Sequence, residues 1–161
     1  MRISLMIDSP LATLQHAMRG LDSAVKRQIG AQTKRAALPV WQEETRFRGD
    51  TRQRTRLAQS AAVGVTATNV TLKAGIGALS RTASLTELAK AIEFGNNPYV
   101  KEQAVSKRGK VFQRRRGNRF GPPTKTGNVA YPAARDAIPR IVSLWVQTAA
   151  RTIHETIEKA L

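Results

Sequence analysis

The 161-residue chain has 27 lysine and arginine residues against 11 aspartate and glutamate residues, a formal net charge of +16. Such a charge predicts a polyanion or an acidic protein as partner, because self-repulsion opposes a compact monomer. The absence of cysteine excludes disulfides and thiolate metal sites, and no apolar run is long enough to span a bilayer, so we expect no membrane association. The length predicts a single domain, 1–161. Its core is poor in aromatic residues and rich in alanine, which favours completing burial by oligomerisation.

A long amphipathic helix is predicted over about residues 10–40. Ser9 and Pro10 form a start signal, since a hydroxyl cap precedes a proline in the first turn. A polar segment with a turn at Gly49–Asp50 follows the helix. The apolar stripe of the helix recurs every three or four residues, at Leu11, Leu14, Met18, Leu21, Val25 and Ile29.

The middle of the chain changes to a period of two, which predicts an antiparallel hairpin over about 60–77 with one apolar face. A short amphipathic helix follows and leads into a strand, together covering about 85–95. The stretch of about 96–130 has little to bury and is predicted to be a long basic loop, and a loop of that length is usually functional or disordered.

The second long helix is predicted over about 132–160, with Pro139 marking its true start or a kink near it. The order of elements gives an α+β fold, with a small antiparallel sheet packed against the N-terminal and C-terminal helices.

Chemistry-bearing residues are sparse. His16 and His154 lie on predicted helices without converging ligands, and the carboxylates form no tight cluster of the kind that holds a catalytic metal. Neither a dinucleotide-binding loop nor a phosphate-binding P-loop motif occurs. We therefore expect no catalysis, no metal and no cofactor.

The strongest signal is the segment from Lys101 to Lys125, which holds nine basic residues and one acid, Glu102. Its candidate contact residues are Lys107, Arg108, Lys110, Arg114, Arg115, Arg116, Arg119 and Lys125. A second basic cluster consists of Arg46, Arg48, Arg52, Arg54 and Arg56. Two interpretations of the loop stay open: contact with DNA phosphates without sequence preference, or contact with an acidic protein neighbour.

Three segments carry motifs that are known to occur together. The segment 55–60, Thr-Arg-Leu-Ala-Gln-Ser, is similar to a Thr-Gly-x-Leu-x-x-Ser element, with Arg56 in place of the glycine. Ala91-Ile92-Glu93-Phe94-Gly95 resembles a hydrophobic-Glu-Phe-Gly motif before a long variable loop. The segment 131–137, Tyr-Pro-Ala-Ala-Arg-Asp-Ala, resembles a Pro-Phe-x-x-Pro-Ala entry to the last helix, with alanine in place of phenylalanine. In their order and spacing the segments resemble the small head–tail joining, or tail-completion, proteins in the neck of long-tailed bacteriophages.

The resemblance implies a structural virion protein, assembled in the host cytoplasm. It would form a homo-oligomeric ring, a hexamer or dodecamer, between the connector and the tail tube, with DNA passing through. Glu93, Phe94, Gly95 and Pro132 would be its structural motif residues. The alternative is a nucleic-acid-binding protein without sequence specificity, either architectural or ribosome-associated. A tail terminator or a minor tail protein is not separated from a neck protein by this pattern.

Overall fold

The structure is a computed structural model that describes residues 2–5, 16, 18–66, 69–81, 83–115, 117 and 119–159. The order of its elements confirms the α+β class. They are β1 (Arg2–Leu5), α1 (Ser23–Phe47), α2 (Arg52–Gln59), β2 (Ala62–Val65), β3 (Val70–Lys73), β4 (Ala78–Ser80), β5 (Ala83–Ser84), α3 (Leu85–Phe94), β6 (Lys101–Val105), β7 (Val111–Arg115) and α4 (Ala130–Glu158).

Helix α1 differs from the predicted helix of 10–40 at both ends. Its first residue is Ser23, and the Asp22 carboxylate caps it by accepting from the Ala24 N–H. His16, Met18 and Arg19 are also helical, while the predicted start at Ser9–Pro10 lies outside the described residues. The helix runs through Pro39 to Phe47 because its buried stripe continues every fourth residue, at Ile29, Thr33, Ala37, Trp41 and Thr45.

Helix α2 was not predicted within the polar segment, whereas the predicted turn at Gly49–Asp50 does lie between the two helices. Only Arg48 to Thr51 link them, and the Thr51 hydroxyl caps α2 by accepting from the Arg54 N–H. The helix is highly charged, and its buried residues are Leu57 and Ala58. Two apolar positions in eight residues are too few for periodicity to reveal a helix.

The predicted hairpin is confirmed as β2 and β3, which pair antiparallel with Val63 opposite Leu72. A strand that was not predicted, β1, pairs with the other edge of β3, so the sheet order is β1-β3-β2. The indole N–H of Trp41 donates to the Lys73 carbonyl over 3.0 Å and thereby ties α1 to the end of β3.

Helix α4 confirms the predicted C-terminal helix, but Pro139 does not mark its start. The helix begins at Ala130 and continues through Pro139 to Glu158. It packs antiparallel on α1, because Thr152 contacts Gln32 at one end and Asp136 contacts Arg48 at the other. Trp145 lies on the apolar stripe of α4 and is fully buried in the core, as the sequence predicts.

The prediction for 85–130 was wrong in two respects. Glu93 and Phe94 form the last turn of α3 and no strand begins there. The stretch of 96–130 is not a structureless loop, since β6 and β7 within it form a hairpin. Their sequences, KEQAV and VFQRR, lack an apolar face because neither side of this hairpin is deeply buried, so the usual strand signal is missing.

Candidate nucleic-acid interface

The β6–β7 hairpin stands apart from the three-stranded sheet. Its strands pair only with each other among the described residues. The pairing places three cross-strand pairs on one face, which we call the outer face, and all six of these side chains are exposed. The pairs are Lys101 with Arg115, Gln103 with Gln113, and Val105 with Val111.

The opposite, inner face of the hairpin lies toward α3 and is partly covered. Glu102 and Arg114 are paired across the strands, with Arg114 Nη2 at 2.9 Å from Glu102 Oε1. A cleft of about 500 Å³ separates this face from α3, and Arg119 and the half-buried Phe120 also line it. Arg115 belongs to the outer face by its pairing with Lys101, but at the end of β7 it also borders this cleft. The segment's one acid is therefore neutralised by its own hairpin, and the remaining charge is basic.

The tip of the hairpin is a turn of three cations without an acid. The turn is closed by the Ser106 N–H, which donates to the Lys110 carbonyl over 2.8 Å. Gly109 allows the chain to reverse, because its φ of 79° lies in the left-handed region. Lys107, Arg108 and Lys110 are exposed and form no ion pair within the described residues. The hairpin thus presents three unneutralised cations at its end.

Two backbone contacts hold the base of the hairpin against the body. The Asn96 N–H donates to the Gly121 carbonyl over 3.1 Å, and the Thr124 N–H donates to the Phe94 carbonyl over 2.8 Å. The chain leaving α3 and the chain returning to α4 therefore lie side by side. Because of this pairing, the direction of the hairpin is set by the end of α3.

Glu93 joins the end of α3 to the start of α4, and it is fully buried. Its Oε2 accepts from the N–H groups of Val129 and Ala130 over 3.1 and 2.9 Å, and its Oε1 accepts from that of Tyr131 over 2.9 Å. These are the donors that the first turn of a helix leaves unpaired, and a carboxylate there also complements the helix dipole. One side chain therefore caps α4 from another helix.

The neighbours of Glu93 support the same junction. Asn128 donates through its amide to the Glu93 carbonyl over 2.7 Å. The rings of Phe94 and Tyr131 meet edge to face with centroids 5.0 Å apart. Pro132 lies in the first turn of α4, where the missing N–H of proline does least harm. Two of the three segments that carry the family resemblance thus contact each other, through Glu93 with Tyr131 and Phe94 with Tyr131, across 38 and 37 residues of sequence.

Gly95 provides a direct test of this junction. Its φ of 71° and ψ of −171° suit glycine, and a Cβ there would overlap the Pro122 carbonyl oxygen. We expect Gly95→Ala to lower the free energy of unfolding by about 2 kcal/mol. Urea denaturation measures this loss. The control is Gly109→Ala, which also has a positive φ but meets open space, so it should cost about 1 kcal/mol. Equal losses in the two variants would contradict a close approach at Gly95.

The second basic cluster does not form one surface. Arg48 pairs with Glu44 over 3.1 Å and with Asp136 of α4, so its charge is used inside the molecule. Arg54 pairs with Asp50 over 2.6 Å and lines a small pocket with Arg119 and Phe120. The three remaining cations are exposed, and they are Arg46, Arg52 and Arg56.

The candidate contact residues therefore separate into groups. Arg119 lies near both Arg54 and Arg115, which brings part of the second cluster to the base of the hairpin. Lys125 is exposed on the return toward α4. Arg116 lies outside the described residues. Sequence reasoning missed Lys101, Gln103 and Gln113 as outer-face residues, because polar residues stand on both faces of these strands and give no alternation.

No protein-family model matches the chain, and neither a curated protein nor a solved structure is significantly similar to it. Within the described ranges, no three histidine or acidic side chains lie close enough to hold a metal ion. None of the described helices has an apolar stretch long enough to cross a membrane.

Proposed function

We propose that the chain is a structural virion protein of a tailed phage, one subunit of an oligomeric ring at the head–tail neck through which DNA passes. The observation that carries the proposal is the Glu93 junction. It joins the Glu-Phe-Gly segment to the Tyr-Pro-Ala segment, and a basic projecting hairpin lies between them. This is the arrangement expected if the two resembling segments form one structural unit that frames a variable loop.

Exposed apolar side chains supply surfaces for subunit contacts. Phe47 at the end of α1 is 88% exposed, and Tyr99 before the hairpin is 74% exposed. Large apolar side chains left in water at separate places suit contacts between different surfaces of neighbouring subunits. Contacts of that head-to-tail kind close into a ring when the rotation between subunits permits. The ring is a hexamer or dodecamer that also binds the neighbouring connector and tail proteins.

Native mass spectrometry at two salt concentrations tests the ring. We expect a closed oligomer of one defined mass, alone or after adding the connector partner, because a small aromatic-poor core leaves burial to be completed between subunits. A globular protein that is known to be monomeric serves as the control for the mass calibration. A mass that stays monomeric under every condition, the connector included, contradicts the proposal.

The hairpin also favours a second candidate, a nucleic-acid-binding protein without sequence specificity, of architectural or ribosome-associated type. A two-stranded basic ribbon that projects from a folded body is one of the shapes that enter a DNA groove. This candidate predicts a monomer that binds any duplex. The mass experiment therefore separates it from the ring.

A further inference from the structure

We infer that the β6–β7 hairpin seats its outer face in the major groove of duplex DNA, with its base and tip cations on phosphates. The inference deepens the proposed function and rests on its DNA channel. Two partners were left open by the sequence, DNA and an acidic protein. The inference selects DNA, with the hairpin bound to the phosphodiester backbone of a duplex.

The charge of the hairpin supports an anionic partner. Residues 101–115 contain six lysine and arginine residues and one acid. That acid, Glu102, is bound to Arg114 on the inner face. The outer face and the tip therefore carry only positive charge, and no described acidic side chain forms an ion pair with them. A surface of one sign on a projecting arm matches a polyanion better than it matches a protein surface of mixed charge.

The shape of the hairpin supports a groove. Adjacent strands lie about 4.8 Å apart, so with side chains a two-stranded ribbon fits a major groove about 12 Å wide and not a minor groove about 6 Å wide. The outer face has no described residue packed over it, since all six of its side chains are exposed. It can therefore approach a duplex without displacing any part of the body.

The positions of the cations match two rows of phosphates. Lys101 and Arg115 face each other at the base, and Lys107, Arg108 and Lys110 form the tip. Because a ribbon of this width lies along the groove, Lys101 on one strand and Arg115 on the other each lie beside one row of phosphates, and the tip cations follow about 17–20 Å farther along it. Between them lie the neutral pairs Gln103 with Gln113 and Val105 with Val111. These side chains would face base edges, where amides accept and donate hydrogen bonds.

Paired substitutions test the cations. The base variant is Lys101→Gln with Arg115→Gln, and the tip variant is Lys107→Gln with Arg108→Gln. Binding to a short mixed-sequence duplex is measured as a function of salt. Each pair should lower the log–log salt slope by about 1.8, because each lost phosphate contact removes about 0.9. The hairpin's exposed cations contribute little to the core, so circular dichroism should show an unchanged fold.

The matched control is Lys34→Gln with Arg35→Gln. It also removes one lysine and one arginine from exposed positions, here on α1 next to Gln32, which contacts Thr152 toward the end of α4 opposite to the hairpin. We expect its salt slope to equal that of the unmodified protein. A control slope that falls as far as the hairpin slopes overturns the inference, because binding would then follow net charge and not this surface.

A label tests the outer face itself. Since the chain has no cysteine, Gln113→Cys takes a single environment-sensitive fluorophore, and Ala31→Cys on the exposed side of α1 takes the control label. Duplex DNA should change the emission at position 113 and not at position 31. Emission unchanged at both positions, or a single strand that binds as tightly as the duplex, rejects groove seating.

The outcomes also separate this inference from the proposed function. A ring of defined mass that does not bind duplex DNA overturns the hairpin inference alone. A monomer that binds DNA through the hairpin overturns the ring alone. Hairpin variants that alter the oligomer mass while leaving the salt slope unchanged show that the hairpin contacts protein, and this overturns the inference.

Discussion

Glu93→Ala is expected to lower the free energy of unfolding by about 3–5 kcal/mol, as measured by urea denaturation. The carboxylate is fully buried and accepts three backbone N–H groups at the start of α4. Hydrogen bonds to a charged group contribute about 1.5–3 kcal/mol each, and buried donors left unpaired add a further cost. The loss is not fully additive, because the first turn of α4 can shift or admit water.

Two variants separate the cap from general effects of losing a carboxylate. Glu93→Gln keeps one acceptor oxygen in place, so its loss should be smaller than that of Glu93→Ala. Glu87→Ala removes an exposed carboxylate from the same helix and should change stability by no more than about 0.5 kcal/mol. If Glu93→Ala unfolds at the same urea concentration as Glu87→Ala, Glu93 does not hold the two helices together.

The two long helices, α3 and the first hairpin could be predicted because each buries one face, whereas α2 buries too few residues to show a period. The stripe of α4 through Ile141, Trp145 and Ala149 and the alternation in β2 and β3 are visible as periods in the sequence. The β6–β7 hairpin buries neither face well, so polar and charged residues stand on both faces. Apolar and polar residues therefore do not alternate along its strands. The N-terminal strand β1, Arg-Ile-Ser-Leu, also alternates polar and apolar residues, but it pairs with β3 about 65 residues later, so no neighbouring strand in the sequence marks it as part of a sheet.

The candidate site could likewise be predicted only in part. The charge of the basic segment is a property of composition and was evident from the sequence. The partner of each charge is not, because it depends on residues that are far away in the chain. Arg48 is neutralised by Asp136 and Arg54 by Asp50, which leaves Arg46, Arg52 and Arg56 as the exposed remainder of the second cluster. Glu93 likewise caps a helix that begins 37 residues later, a contact that only the folded chain reveals.

Trp145→Ala is expected to cost about 3–5 kcal/mol, because the removal of a buried indole leaves a cavity that the surrounding helices fill only in part. Trp145 has no solvent exposure and lies on the stripe of α4 that faces the core. The thermal unfolding midpoint and the urea midpoint should both fall. A variant that keeps its melting temperature would show that the side chain contributes nothing to the core.

Two controls assign the loss to packing. Val146→Ala, at the exposed neighbouring position, should change stability by no more than about 0.5 kcal/mol. Trp145→Phe keeps an aromatic ring but removes the indole N–H, which has no hydrogen-bond partner within the described residues. Removing an unpaired buried donor offsets part of the lost volume, so Trp145→Phe should cost much less than Trp145→Ala. Equal losses in these two variants would mean that the indole N–H is paired, and that its hydrogen bond, not the volume of the ring, stabilises α4.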